Sequence, residues 1–120
     1  MARTTINSQN PLGAYPVLPI PSGAADLMFT ATDDPIDRQT PLVSGKTMVM
    51  AFNAGLSAHT ITFTSTQDVF HRTGDISAYS VAPGTLAMFG PFSSGGWANS
   101  GQLYIDVSNA ELRLAVLKLP

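Results

Sequence analysis

The sequence predicts an all-β fold: an antiparallel β-sandwich, jelly-roll-like, of about seven to eight strands, led by an extended Pro-rich N-terminal arm. Three observations predict it. Apolar and polar residues alternate with a period of two in several short runs, with Thr prominent on the polar side. Turn residues interrupt these runs at short, regular intervals. No apolar repeat of helical period lasts long enough for a substantial helix, and the one place for a short one is residues 22–27. Many short strands with such punctuation belong to a sandwich or a small barrel.

The chain divides into an arm, residues 1–22, and a β-sandwich domain, residues 23–120. Pro11, Pro16, Pro19 and Pro21 break any helix and deny donors to any central strand. Between them sit Leu12, Tyr15, Val17, Leu18 and Ile20, an apolar content that a solvated linker does not need. A free arm of this length in polyproline geometry reaches on the order of 60 Å at ~3.1 Å per residue. It lies either over its own domain or on a neighbouring subunit, and those five residues are the candidate interface.

The strands follow in order. Residues 27–32 are a short candidate, followed by the acidic loop Asp33-Asp34-Pro35-Ile36-Asp37-Arg38. Residues 46–53 alternate, with Met48, Met50 and Phe52 on one face. Residues 59–66 alternate too, Ile61 and Phe63 against Thr60, Thr62 and Thr64, after a hairpin-length turn at Asn53-Ala54-Gly55-Leu56-Ser57. Ile76–Val81 and residues 85–89 read as a hairpin joined by Ala82-Pro83-Gly84, since Pro then Gly suits the centre of a type II turn. Gly90-Pro91 ends the second of these strands. Ser93-Ser94-Gly95-Gly96 is a loop with Trp97 as a large anchor beside it, and a second interface candidate. Residues 103–108 and 111–119 complete the set, with Leu103, Ile105 and Val107, then Leu112, Leu114 and Val116, sharing faces.

Composition narrows the function classes. Only 12% of residues are charged, against about 25% in ordinary soluble domains, while 11 Ser and 12 Thr supply much of the polarity. A net charge of −2 offers no basic footprint for nucleic acid. Cysteine is absent, which excludes disulfides, thiol nucleophiles and Cys-based metal sites. The N-terminus has no apolar signal-like core and no run reaches membrane-span length, so synthesis and folding in a cytoplasm are expected. A surface this poor in charge favours self-association or docking.

The densest polar cluster is Asp68, His71, Arg72 and Asp75. With His59 it offers the ingredients of a metal or general-base site, but the spacing fits no metal motif. The favoured alternative has Asp68 and Asp75 accepting main-chain donors in turns and pairing with Arg72. There is no G-x-S-x-G nucleophile elbow, no phosphate-cradling glycine loop and no calcium-loop frame in the acidic run. Trp97, Tyr79 and Tyr104 are a minor candidate for a sugar-stacking platform. No catalytic residue, cofactor, metal or small-molecule substrate is assigned, and the expectation is a non-enzyme.

With the strands placed, the segments HTITFTST, DVFHRTGDISAYSVAPG, FGPF, GW and GQLYIDVSNAELRLAVLKLP resemble small structural head proteins of tailed bacteriophages and prophages, commonly of the decoration (cement) type. The resemblance covers about residues 45–120. Its most specific pieces are Arg72-Thr73-Gly74-Asp75-Ile76, Phe89-Gly90-Pro91-Phe92 and the C-terminal Leu-Pro. The resemblance implies a virion protein on the outer surface of the expanded head, with the major capsid protein as partner. It also implies a homo-oligomer, a trimer before a dimer, and no cofactor, nucleic acid or membrane. The alternative is a tail, baseplate or fibre-associated β module that binds glycan.

Overall fold

The structure is a computed structural model, and it describes residues 4–11, 26–29, 37–67, 70–71 and 73–119. Nine strands form among them: β1 (Thr4–Thr5), β2 (Ser8–Gln9), β3 (Asp37–Pro41), β4 (Thr47–Asn53), β5 (His59–Thr64), β6 (Ile76–Val81), β7 (Leu86–Phe92), β8 (Gln102–Val107) and β9 (Leu112–Lys118). One sheet runs β1-β3-β8-β5-β6 and the other β2-β9-β4-β7. The expected all-β sandwich therefore forms. Its layers are held by inward side chains from alternate positions, including Val49, Ala51, Ile61, Phe63, Leu103, Ile105, Leu112, Leu114 and Val116, all without solvent exposure.

Strand positions follow the alternation in the sequence, but pairing does not follow the turns. The segments expected to make a hairpin around Pro83-Gly84 lie in different sheets: β6 pairs with β5, and β7 with β4. The turn itself has the expected form, with Gly84 at φ 73 and the Thr85 N–H donating to the Ala82 carbonyl at 3.2 Å. The link from β4 to β5 also crosses between sheets. A short turn sets where the chain reverses; burial of one face decides which neighbour it then pairs with.

Asn53 joins the two crossings. It is fully buried, and its side-chain amide donates to the Ser57 carbonyl (2.8 Å) and the Val81 carbonyl (2.9 Å) while accepting from the Gly55 N–H (2.9 Å). Its own N–H donates to Thr85 and its carbonyl accepts from Gly84.

Gly90-Pro91 does not end β7. It forms a bulge opposite Thr47 and Val49, where three steps on β7 match two on β4. Without the extra residue, Phe89 and Phe92 would face opposite ways; with it, both pack on Phe63, at ring-centroid distances of 4.8 and 5.1 Å. A second bulge on β6, with Ala78 at φ 50, similarly turns Ile76 and Tyr79 toward the same side. In β4 the expected alternation holds. The innermost positions are Thr47, Val49, Ala51 and Asn53, with Met48, Met50 and Phe52 on the outer face.

The first residues are not a free arm. Thr4 and Thr5 pair in parallel with β3, Ser8 and Gln9 with β9, and Ile6 between them is buried in the core. The arm boundary at residue 22 is thus corrected at its near end: residues 4–9 belong to the body because their main chain completes both sheets. Asp37 and Arg38, expected in a loop, lie in β3, with Arg38 buried opposite Ile105. Residues 26–29 carry no strand or helix, so the strand candidate at 27–32 does not form in its described part, nor is there helix in the described part of 22–27, the one place left open for a short one. Leu12, Tyr15, Val17, Leu18 and Ile20 lie outside the described residues.

Candidate functional site

The polar loop between β5 and β6 and the Gly-rich loop after β7 meet at one end of the sandwich. Ser65 closes the first of them. Its N–H and hydroxyl both donate to Asp75 Oδ1, each at 2.8 Å, and its hydroxyl oxygen accepts from the Gly74 N–H at 2.8 Å. These bonds hold the Asp75 carboxyl below its ordinary value, the Ser65 N–H being the larger cause and the Ser65 hydroxyl the next. The second loop contains a four-residue helical turn, Ser94–Trp97, distorted at Gly95 and Gly96. The Thr66 N–H donates to the Gly96 carbonyl at 2.7 Å and ties the loops together. After it, Ser100 and Gly101 both take positive φ in a two-residue turn that returns the chain to β8.

Between the loops lies an open cleft of about 180 Å³, lined by Ser65, Thr66, Thr73, Gly74, Gly95, Gly96 and Trp97. It is smaller than the ~300–1,000 Å³ usual for small-molecule pockets. Trp97 is half-buried and meets Phe92 edge-on at 5.1 Å, so much of its ring is committed to the body. The expected anchor role is what this packing provides.

The chemistry candidates do not converge. His59 begins β5 and bonds Glu111 Oε1 at 2.9 Å, whereas His71 follows the far end of β5, with its ring nitrogen 3.3 Å from Gln67 Oε1. A six-residue strand separates them, a span of roughly 17 Å. Among the described residues no group of three His, Asp or Glu is placed to hold a metal ion. The Ser65 hydroxyl rests directly on Asp75, with no imidazole between them. A carboxylate whose pKa is lowered is also a weaker base, opposite to the tuning of a general base. Asp75 accepts a main-chain donor, as the architectural alternative expected, while Asp68 and Arg72 lie outside the described residues. The three aromatic residues suggested as a platform point to different places. Tyr79 packs edge-on against Phe89 at 5.3 Å on the core side, while Tyr104 stands on β8 opposite Gln39 and Thr64.

Two surface features escaped the sequence reading. From residue 76 to residue 105 the chain contains no charged side chain, so β6, β7, the Gly-rich loop and most of β8 present an uncharged surface. On the outer face of the β2-β9-β4-β7 sheet, Leu86 and Met88 stand exposed beside the apolar side chains of Phe52 and Met50, their register partners. Phe29 covers part of this face, its ring 6.3 Å from Phe52. The segment is held by Gln9, whose side-chain amide donates to the Met28 carbonyl (2.7 Å) and accepts from the Met28 N–H (2.9 Å). The charge gap was open to simple counting; the Gln9 clamp had no local signal.

Compared with known proteins, the chain matches no family model, no curated protein and no solved structure.

Proposed function

We propose that this protein is a virion structural protein that decorates and stabilises a bacteriophage head by binding the outer surface of the assembled, expanded shell. The observation that carries the reading is the uncharged, partly apolar side of a rigid β-sandwich, which suits broad docking better than chemistry. The resemblance of residues 45–120 to phage head proteins points the same way. The partner is the major capsid protein, and the protein self-associates. No nucleic acid, membrane, cofactor or small-molecule substrate has a role. Stabilisation works by mass action: a protein that binds only the assembled shell contributes RT ln(1 + [L]/Kd) per site, roughly 2.7 kcal/mol at a hundredfold excess over Kd.

The proposed contacts are Leu12, Tyr15, Val17, Leu18 and Ile20, with Trp97 as a second point. The first group lies in the stretch between Gln9 and Met28, whose hydrogen bonds close it at both ends.

The test is co-sedimentation with expanded and unexpanded heads, using the full chain and a variant in which residues 12–25 become a Gly-Ser linker. Removing residues 2–22 would instead take Ile6, β1 and β2 out of the body. Selective binding of the full chain to expanded heads, weakened at least about tenfold by the linker, is expected. Equal binding of both proteins removes the contact assignment, and no binding removes the capsid reading. Labelling of intact virions confined to the tail would favour the tail or fibre alternative.

A further inference from the structure

We infer that the β7 edge is a self-association site, at which two copies of this chain pair antiparallel about a two-fold axis near Ala87 and join their four-stranded sheets. The inference stands on the edge itself and does not depend on the capsid reading.

Among the described residues β7 ends its sheet and pairs only with β4. The Asn53 N–H donates to the Thr85 carbonyl, and the register continues through Ala51 with Ala87 and Val49 with Phe89. In an antiparallel ladder this phase directs the main-chain groups of Ala87 and Phe89 toward β4 and those of Leu86 and Met88 away from it. The same two residues expose 49% and 64% of their surface. Main chain and side chain are thus presented together at alternate positions, as strand addition requires.

Sheet edges are ordinarily guarded by charge, proline, bulges or short length. β1 and β2 are two residues each, and β6 carries its bulge mid-strand at Ala78. β7 runs in unbroken register from 86 to 89, with its bulge and Pro91 beyond that stretch. No charge occurs anywhere from residue 76 to residue 105. That absence favours a second copy over an unlike strand. A two-fold contact places equivalent residues close together, so a charge near the axis would face its own image. With Leu86 opposite the partner's Met88, the outward main-chain groups form hydrogen-bonded pairs. Ala87 meets the partner's Ala87 at the non-hydrogen-bonded position, where strands approach to ~4.5 Å and a small side chain fits. Leu86 and the partner's Met88 then cover each other on the outer face.

Analytical ultracentrifugation of the full chain tests this, with a mass approaching twice 12.6 kDa expected as concentration rises. Leu86→Lys and Met88→Glu, each at an exposed position, should each weaken self-association about tenfold or more, while circular dichroism, and melting at concentrations where the parent is a single chain, stay near the parent. Mixing the two variants should restore a dimer, because residue 86 of one copy faces residue 88 of the other. Amide exchange at Leu86 and Met88 should slow with increasing concentration. A single-chain mass at the highest attainable concentration, a trimer mass, or a dimer indifferent to both substitutions overturns the inference. Failure of the mixture to recover overturns the register.

Discussion

Asn53 directs both amide protons and its carbonyl oxygen to main-chain groups of two separate turns, at zero exposure. Truncating it removes three hydrogen bonds at a fully buried side chain, to the Ser57 and Val81 carbonyls and from the Gly55 N–H, so Asn53→Ala should cost about 2–4 kcal/mol in urea denaturation. Asn53→Asp should be no milder at neutral pH, since a carboxylate would face two carbonyl oxygens. Gly90 sits at φ 106, and a Cβ there would come within 2.9 Å of the Thr47 carbonyl oxygen. Gly90→Ala should therefore destabilise by about 1–3 kcal/mol in the same assay. Asp75 carries a pH signature. Its folded pKa lies below the ordinary 3.8, so the bonds from Ser65 contribute fully above that value and are lost as pH falls through the folded pKa. A carboxyl titration followed by NMR should place the Asp75 midpoint below 3.8, and Ser65→Ala should move it back up. Residue type alone marks Asp75 as a turn acceptor. It could not supply the donor, because Ser65 is ten residues away across a loop.

At the scale of elements, alternation revealed most strand positions in the body because a strand with one buried face carries that period in its composition. β6 was placed to the residue. β3 was missed because its inward positions are Arg38 and Thr40, polar residues that leave no apolar stripe. The extent of β7 was missed because Gly-Pro usually marks a stop, whereas here it is the extra residue that brings two Phe rings onto Phe63. Pairing was not legible, since crossings between sheets use the same turn chemistry as hairpins. The Gln9 clamp was also hidden: a Gln in a polar stretch carries no mark of a partner 19 residues on. Gln9→Ala should leave amide protection in β4 intact and abolish it at Met28, a contrast that hydrogen exchange resolves.

For the whole molecule, the low charge of the sequence acquires a location. Strands β6 and β7 and the loop after them carry no charged side chain. If two copies meet at β7, the melting temperature should rise with protein concentration, and Leu86→Lys should flatten that dependence. The parallel pairing of the first strands has a consequence for the order of events during synthesis. Ser8 pairs with Val116, a separation of 108 residues, and Thr4 and Thr5 wait for residues 38 and 39. β9, the inner neighbour of β2, emerges from the ribosome last among the strands. Residues 4–9 cannot dock on both sheets until β9 has been made, so closure of the sandwich is a late, long-range step.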